Sequence, residues 1–210
     1  TSSRLSVGAC TTAAVPANDT TPTRTEFGNS LTKFLAASCE ATMRRYEARL
    51  DRYLRRMCMH CADPSCVSAC PVGAFTKTEL GPVVYDGSKC LGCRYCMIAC
   101  PFGVPRYEWS KPIPVVRKCD GCFERQKEGK PTACTEACPA EATVGGTREE
   151  MLAEAKKRIA ENPGTYHPVV YGENEVGGTN VFVLSPVPFD ELGMRTGLGN
   201  DPMPNLTWAA

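Results

Sequence analysis

Long apolar runs are missing from this sequence. No stretch of roughly 18 apolar residues occurs, so the expectation is a chain with no membrane-spanning helix of its own. Charge of one sign is missing too. Lys and Arg number 24 against 23 Asp and Glu, which gives no reason to expect nucleic acid or an anionic lipid surface as the main partner. Aromatic residues make up only 8%, while 18 Gly and 17 Pro favour a loop-rich fold over a large apolar core. The glycines form no phosphate-cradling run, which leaves no support for a nucleotide site. Histidine is confined to His60 and His167, and nothing resembles a catalytic substrate site. The opening residues lack the basic and apolar regions of a signal peptide. Leu5-Ser-Val-Gly-Ala-Cys10 has only a faint likeness to a lipoprotein cleavage box, because no apolar region precedes it.

What is abundant is cysteine. The chain holds 14, of which twelve fall between Cys58 and Cys138; Cys10 and Cys39 lie outside. Disulfide scaffolds belong to short secreted domains, whereas these thiols come in tight clumps that aim several at one centre. The first clump is Cys58-x2-Cys61-x4-Cys66-x3-Cys70-Pro71. The second is Cys90-x2-Cys93-x2-Cys96-x3-Cys100-Pro101, and the third Cys119-x2-Cys122-x11-Cys134-x3-Cys138-Pro139. The second matches the bacterial ferredoxin run residue for residue, and the others are the same device with one gap lengthened. Three closely spaced thiolates can each take a corner of a cubane while the loop encircles it. The proline after the fourth turns the chain away. A lone Cys-x2-Cys pair would suit zinc, but the x3-Cys-Pro ending occurs three times, which leaves a structural zinc protein as the weaker reading.

In two-cluster ferredoxins the fourth thiolate serves the neighbouring cluster. That rule assigns Cys58, Cys61, Cys66 and Cys100 to one cluster, and Cys90, Cys93, Cys96 and Cys70 to a second. Cys119, Cys122 and Cys134 form a third set needing an outside ligand, because Cys138 would point toward a fourth cluster. The expected cofactors are two [4Fe-4S] clusters plus a third, [4Fe-4S] or [3Fe-4S], with iron held through these same cysteines. Gly92 and Gly121, each just before a ligand, allow close backbone approach, so that amides can point at sulfur. Lys89, Arg94, Arg117 and Lys118 flank ligands, either raising a cluster's potential or lying solvated or salt-bridged. His60, between two ligands, is expected to donate a hydrogen bond or pack on a cluster; His167 falls in a loop.

Around the clumps the expected architecture is α+β: tandem bacterial-ferredoxin-like, pseudo-twofold modules with long loops, a helical insertion and an extended C-terminal tail. Residues 1–57 contain a loop and a helix over 38–57, where Met43, Tyr46, Leu50, Tyr53, Leu54 and Met57 recur at helical spacing. Residues 58–105 form the two-cluster module, with a hairpin from 74–78 to Val83-Val84-Tyr85 turning near Leu80-Gly81. Residues 106–145 form a second ferredoxin-like module. In 146–210, Thr147-Arg-Glu-Glu150 is a capping box that opens a helix through about Glu161. Asn162-Pro163-Gly164 stops it, Val181-Phe-Val-Leu184 reads as a strand, and the tail from Gly193 is extended.

The sequence resembles the four-cluster ferredoxin-type electron-transfer subunits of respiratory oxidoreductases, and within them the Hyb-type iron–sulfur subunit of respiratory nickel–iron hydrogenase. The resemblance rests on Cys58-Met-His-Cys-Ala-Asp-Pro-Ser-Cys66, Gly92-Cys-Arg-Tyr-Cys-Met-Ile-Ala-Cys-Pro-Phe102 and Lys118-Cys-Asp-Gly-Cys122. It continues through the helix from Gly146 to Arg158, Tyr171-Gly-Glu, Gly177-Gly-Thr and Val187-Pro-Phe. It implies a non-catalytic relay between a catalytic subunit, a [NiFe] hydrogenase, and an integral-membrane quinone-reacting subunit. A molybdenum or tungsten oxidoreductase, or another quinone-linked complex, is the alternative partner. It also implies the periplasmic face of the cytoplasmic membrane, with attachment through partner subunits. The departure is N-terminal. The family has a further cysteine run there, but this chain keeps only Cys10 and Asn18 of the pattern and holds Arg4, Val7 and Ala14 at the other ligand positions. The resemblance therefore implies that a fourth cluster is absent. The third cluster is left as a three-iron centre, as a cubane completed by Cys10 or Cys138, or with a non-cysteine ligand.

Overall fold

The computed structural model describes residues 4–5, 54–110 and 115–208; the helix expected over 38–57 and both Cys10 and Cys39 lie outside them, apart from that helix's last few residues. The elements below belong to one compact unit made of residues 1–11 and 57–210.

Each cysteine clump closes on a single helical turn. Helix α1 spans Ser65–Ser68, α2 Tyr95–Ala99 and α4 Ala133–Glu136. Each carries the third thiol of its clump (Cys66, Cys96, Cys134), and the fourth follows at or just past the helix end. The x3 spacing is the length of one turn, and proline after the fourth thiol prevents continuation. Ser65 Oγ donates to the Ala99 carbonyl at 2.8 Å, tying the first repeat to the second.

Between the clumps the chain returns through two hairpins. Strand β2 (Phe75–Lys77) pairs antiparallel with β3 (Val83–Tyr85), Thr76 opposite Val84, as expected. Strand β4 (Arg106–Tyr107) pairs with β5 (Val116–Arg117), delivering the chain to Cys119. Strand β1 (Arg4–Leu5) pairs with β6 (Gly146–Thr147), which brings the N-terminal segment beside the exit of the third clump. Helix α3 covers Phe123–Lys127. Beneath the first two clumps Phe75, Val83 and Val116 pack with Cys66 and Cys96 into one apolar cluster.

Helix α5, Arg148–Glu161, has the expected start. Thr147 Oγ1 accepts from the Glu150 amide at 3.3 Å, and Glu150 Oε2 accepts from the Thr147 amide at 2.9 Å. Met151, Leu152, Ala155 and Ile159 put one face of α5 on Val170, Phe182 and Leu184, a second apolar cluster. Residues 181–184 differ from the strand expected there. Only Val183 pairs, with Tyr171, through bonds of 3.1 and 2.9 Å. The facing chain leaves the ladder at Gly172 and Gly178, both in left-handed conformations (φ 102° and 88°). The segment is buried on all sides, as its unbroken apolar run permits. The tail also differs: Met203–Trp208 is a helix, α6, with Pro204 tolerated in its first turn.

Candidate metal centre

Burial of thiols is the first physical fact of the site. Cys58, Cys61, Cys66 and Cys100 together line one pocket, closed by Val83, Phe102, Val104 and Lys118. Three of those thiols come from the first clump and one from the second, the set expected from the swap rule. Burial pushes the Cys66 thiol up to about 12, with Cys58 and Cys100 adding to it. Cys61 is raised in the same way by burial and by Cys58, Cys100 and Cys66. A thiol so desolvated becomes a thiolate only beside strong positive charge, which bound iron supplies.

The second set converges similarly. Burial lifts Cys96 to about 11, and Cys90, Cys70 and Cys93 raise it in turn. In the third set, burial lifts Cys119 to about 12 and also raises Cys122, whose neighbours include Cys134. Cys58 is itself among the charges acting on Cys119, so the first and third sets adjoin. Likewise Cys96 acts on Cys66, joining the first set to the second. Cys138 stands just after α4. None of the twelve described cysteines is in a disulfide.

Backbone amides already face these sulfurs. Ala74 N–H donates to Cys70 Sγ at 3.2 Å, Gly121 N–H to Cys119 Sγ at 3.4 Å, and Ala133 N–H to Cys122 Sγ at 3.5 Å. The His60 amide serves Cys58. Gly92 and Gly121 adopt φ of 77° and 69°. A Cβ at Gly92 would meet Tyr107 Oη at 2.8 Å, and one at Gly121 would meet Pro82 at 3.0 Å. Neighbouring protein, as well as close approach to sulfur, therefore requires glycine at both.

Residues 51–148 match the family described as 4Fe-4S dicluster domain. Those residues form a ferredoxin-type 4Fe-4S domain. Among its relatives is the hydrogenase-2 operon protein HybA of Escherichia coli O157:H7, 44% identical over 168 residues, covering 68% of this chain and 51% of the relative. A subunit of the anaerobic dimethyl sulfoxide reductase of Escherichia coli (strain K12) is 48% identical over 99 residues, 47% of either protein. The iron-sulfur subunit of nitrate-inducible formate dehydrogenase from the same strain is 40% identical over 149 residues, 69% of this chain and 49% of the relative. The chain thus spans about half the length of the curated relatives it matches.

Around this iron–sulfur domain the flanking cations sort by burial. Arg94 lies over the rings of Tyr107 and Trp109, at 5.5 and 4.9 Å from their centroids. Arg117 pairs with Glu108 at 2.8 Å, and Lys89 reaches Asp86 at 3.7 Å on the surface. Lys118 alone of the four turns inward, donating to the carbonyls of Val83 and Cys119 and lining the first pocket. The spacing argument passed over Lys77, whose Nζ donates to Cys61 O at 2.6 Å and His60 O at 3.1 Å. Strand alternation is the signal that finds it, since Lys77 shares a face of β2 with buried Phe75. Burial pulls the Lys77 ammonium down to about 8, against the opposing pull of Cys61, Cys58 and Cys66.

Proposed function

We propose that this protein relays single electrons along a row of clusters between a catalytic oxidoreductase subunit, a [NiFe] hydrogenase, and an integral-membrane quinone-reacting subunit. The observation that carries the reading is the pocket that Cys58, Cys61, Cys66 and Cys100 line together, thiols from two clumps brought to one site. Bound clusters supply one-electron chemistry; the chain holds them, spaces them and sets their surroundings.

The ligand sets follow the same logic. Cys58, Cys61, Cys66 and Cys100 hold the first [4Fe-4S] cluster, and Cys90, Cys93, Cys96 and Cys70 the second. Cys119, Cys122 and Cys134 hold the third, whose fourth position falls to Cys10 or Cys138 or stays open in a three-iron centre. Because the first set adjoins both others, the row runs second, first, third. Leu91, Tyr95 and Ile98 are exposed around the second set, with Ile98 82% exposed, and offer a partner an apolar surface at that end. The tandem pseudo-twofold arrangement accounts for the repeated turn-and-hairpin units. The proposed location is the periplasmic face, with attachment through partner subunits; among the described residues no helix is long and apolar enough to cross a membrane.

Elemental analysis of the gently purified native complex tests this. Abundant iron with nickel supports the hydrogenase partner. Iron with molybdenum or tungsten transfers the relay to that class of oxidoreductase, and zinc without iron overturns the cluster reading. Replacing Cys10 and Cys138 singly with Ala then shows which of them the third centre uses: loss of its spectroscopic signal marks the ligand.

A further inference from the structure

His60 carries a proton that nothing among the described residues receives. Its ring is buried, 4% exposed, and its backbone sits at φ 48°, in the left-handed region that few non-glycine residues adopt. Three of its polar groups have partners. The amide serves Cys58, the carbonyl accepts from Lys77 at 3.1 Å, and Nδ1 accepts the Val83 amide proton at 2.9 Å. An imidazole that accepts at Nδ1 bears its proton on Nε2. That Nε2 is buried without a partner among the described residues.

Buried donors in folded proteins are paired almost without exception. The ring takes no part in lining the pocket of Cys58, Cys61, Cys66 and Cys100. It faces the loop of the third clump instead: a Cβ on Gly121, between Cys119 and Cys122, would stand 3.3 Å from His60 Cε1, the ring carbon that joins Nδ1 and Nε2. Sulfur on a bound cluster, whether thiolate or sulfide, is the acceptor that loop would present.

We infer that His60, a residue of the first cysteine loop, donates its Nε2 proton to a sulfur of the centre held by Cys119, Cys122 and Cys134. The inference rests on the cluster reading above and deepens it. His60 thereby links two adjoining centres, with its amide on a ligand of one and its ring on sulfur of the other. A hydrogen bond to sulfur stabilises the electron-rich reduced state and raises that centre's potential.

With only two histidines in the chain, [15N]histidine labelling is close to site-specific. Pulsed EPR on the labelled native complex reads nitrogen coupling on each paramagnetic centre, the third being assigned by its loss in Cys122→Ala. The expected result is 15N coupling on the third centre that persists in His167→Gln and vanishes in His60→Phe. Redox titration of His60→Phe should show that centre's reduction equilibrium weakened on the order of tenfold, about 59 mV for one electron. If His60→Phe fails to fold, the labelled His167→Gln protein carries the test by itself. A third centre that is present without 15N coupling overturns the inference, as does coupling confined to the first centre. Iron missing from the third set, read by metal analysis, overturns the cluster reading for that set and this inference with it.

Discussion

At the scale of single residues, chemistry here is decided by what stands next to sulfur. Lys77 and Lys118 both bring an ammonium group to backbone carbonyls of ligand loops. Lys77→Met removes a charge and two hydrogen bonds from the first loop. The expected outcome is a lower potential for the first centre, by on the order of a tenfold change in its reduction equilibrium, about 59 mV, in an EPR-monitored redox titration. Exposed Lys89, paired with Asp86, should show no measurable shift in the same assay when replaced by Met. The four cationic positions beside ligands looked alike in the sequence. Which way a flexible stem turns depends on what fills the space beside it, and adjacency along the chain does not encode that. Cys100→Ala should remove one cluster's worth of iron, measured per polypeptide, since it takes away one wall of the first pocket.

At the scale of elements, the three short helices are too brief to stand alone, since nucleating one turn fixes several residues for a single hydrogen bond. They persist because each is anchored by thiols and followed by proline. Helix α5 has stronger local reasons, a complete capping box and an apolar stripe. Thr147→Ala should cost about 1 kcal/mol in a chemical denaturation curve. Phe182→Ala, which empties the centre of the cluster under α5, should cost about 3–5 kcal/mol by the same measurement. The capping box was legible because both its partners lie within four residues. The expected strand at 181–184 was not, because its ladder is ended by turns in the other segment, at Gly172 and Gly178.

At the scale of the molecule, residues 171–185 brace the first cysteine loop. Asn180 N–H donates to Met59 O at 3.1 Å, Ala62 N–H to Gly178 O at 3.0 Å, and Asn180 Nδ2 to Gly81 O at 3.2 Å. Arg148, at the start of α5, donates to the carbonyls of Thr179 and Glu173. Gly177-Gly-Thr179 thus positions a cysteine loop far away in sequence. Removal of iron should separate the two regions in hydrogen exchange. Amides at Ala74, Gly121 and Ala133, which face sulfur, should lose protection, while α5 and Phe182 keep theirs on their own apolar cluster. Uniform loss of protection would mean that the clusters hold the whole unit together.

The sequence by itself determined the three cysteine repeats, because ligand spacing is local and helical turns have a fixed length. It also determined the hairpin at 75–85 and the start of α5. Tertiary structure alone decided that Lys77 and Lys118 turn inward, that the C-terminal loop clamps Met59 and Ala62, and that His60 lies against Gly121. Those depend on through-space packing between segments with no pattern in common, where the free energy of burial is settled by the neighbour and not by the residue itself.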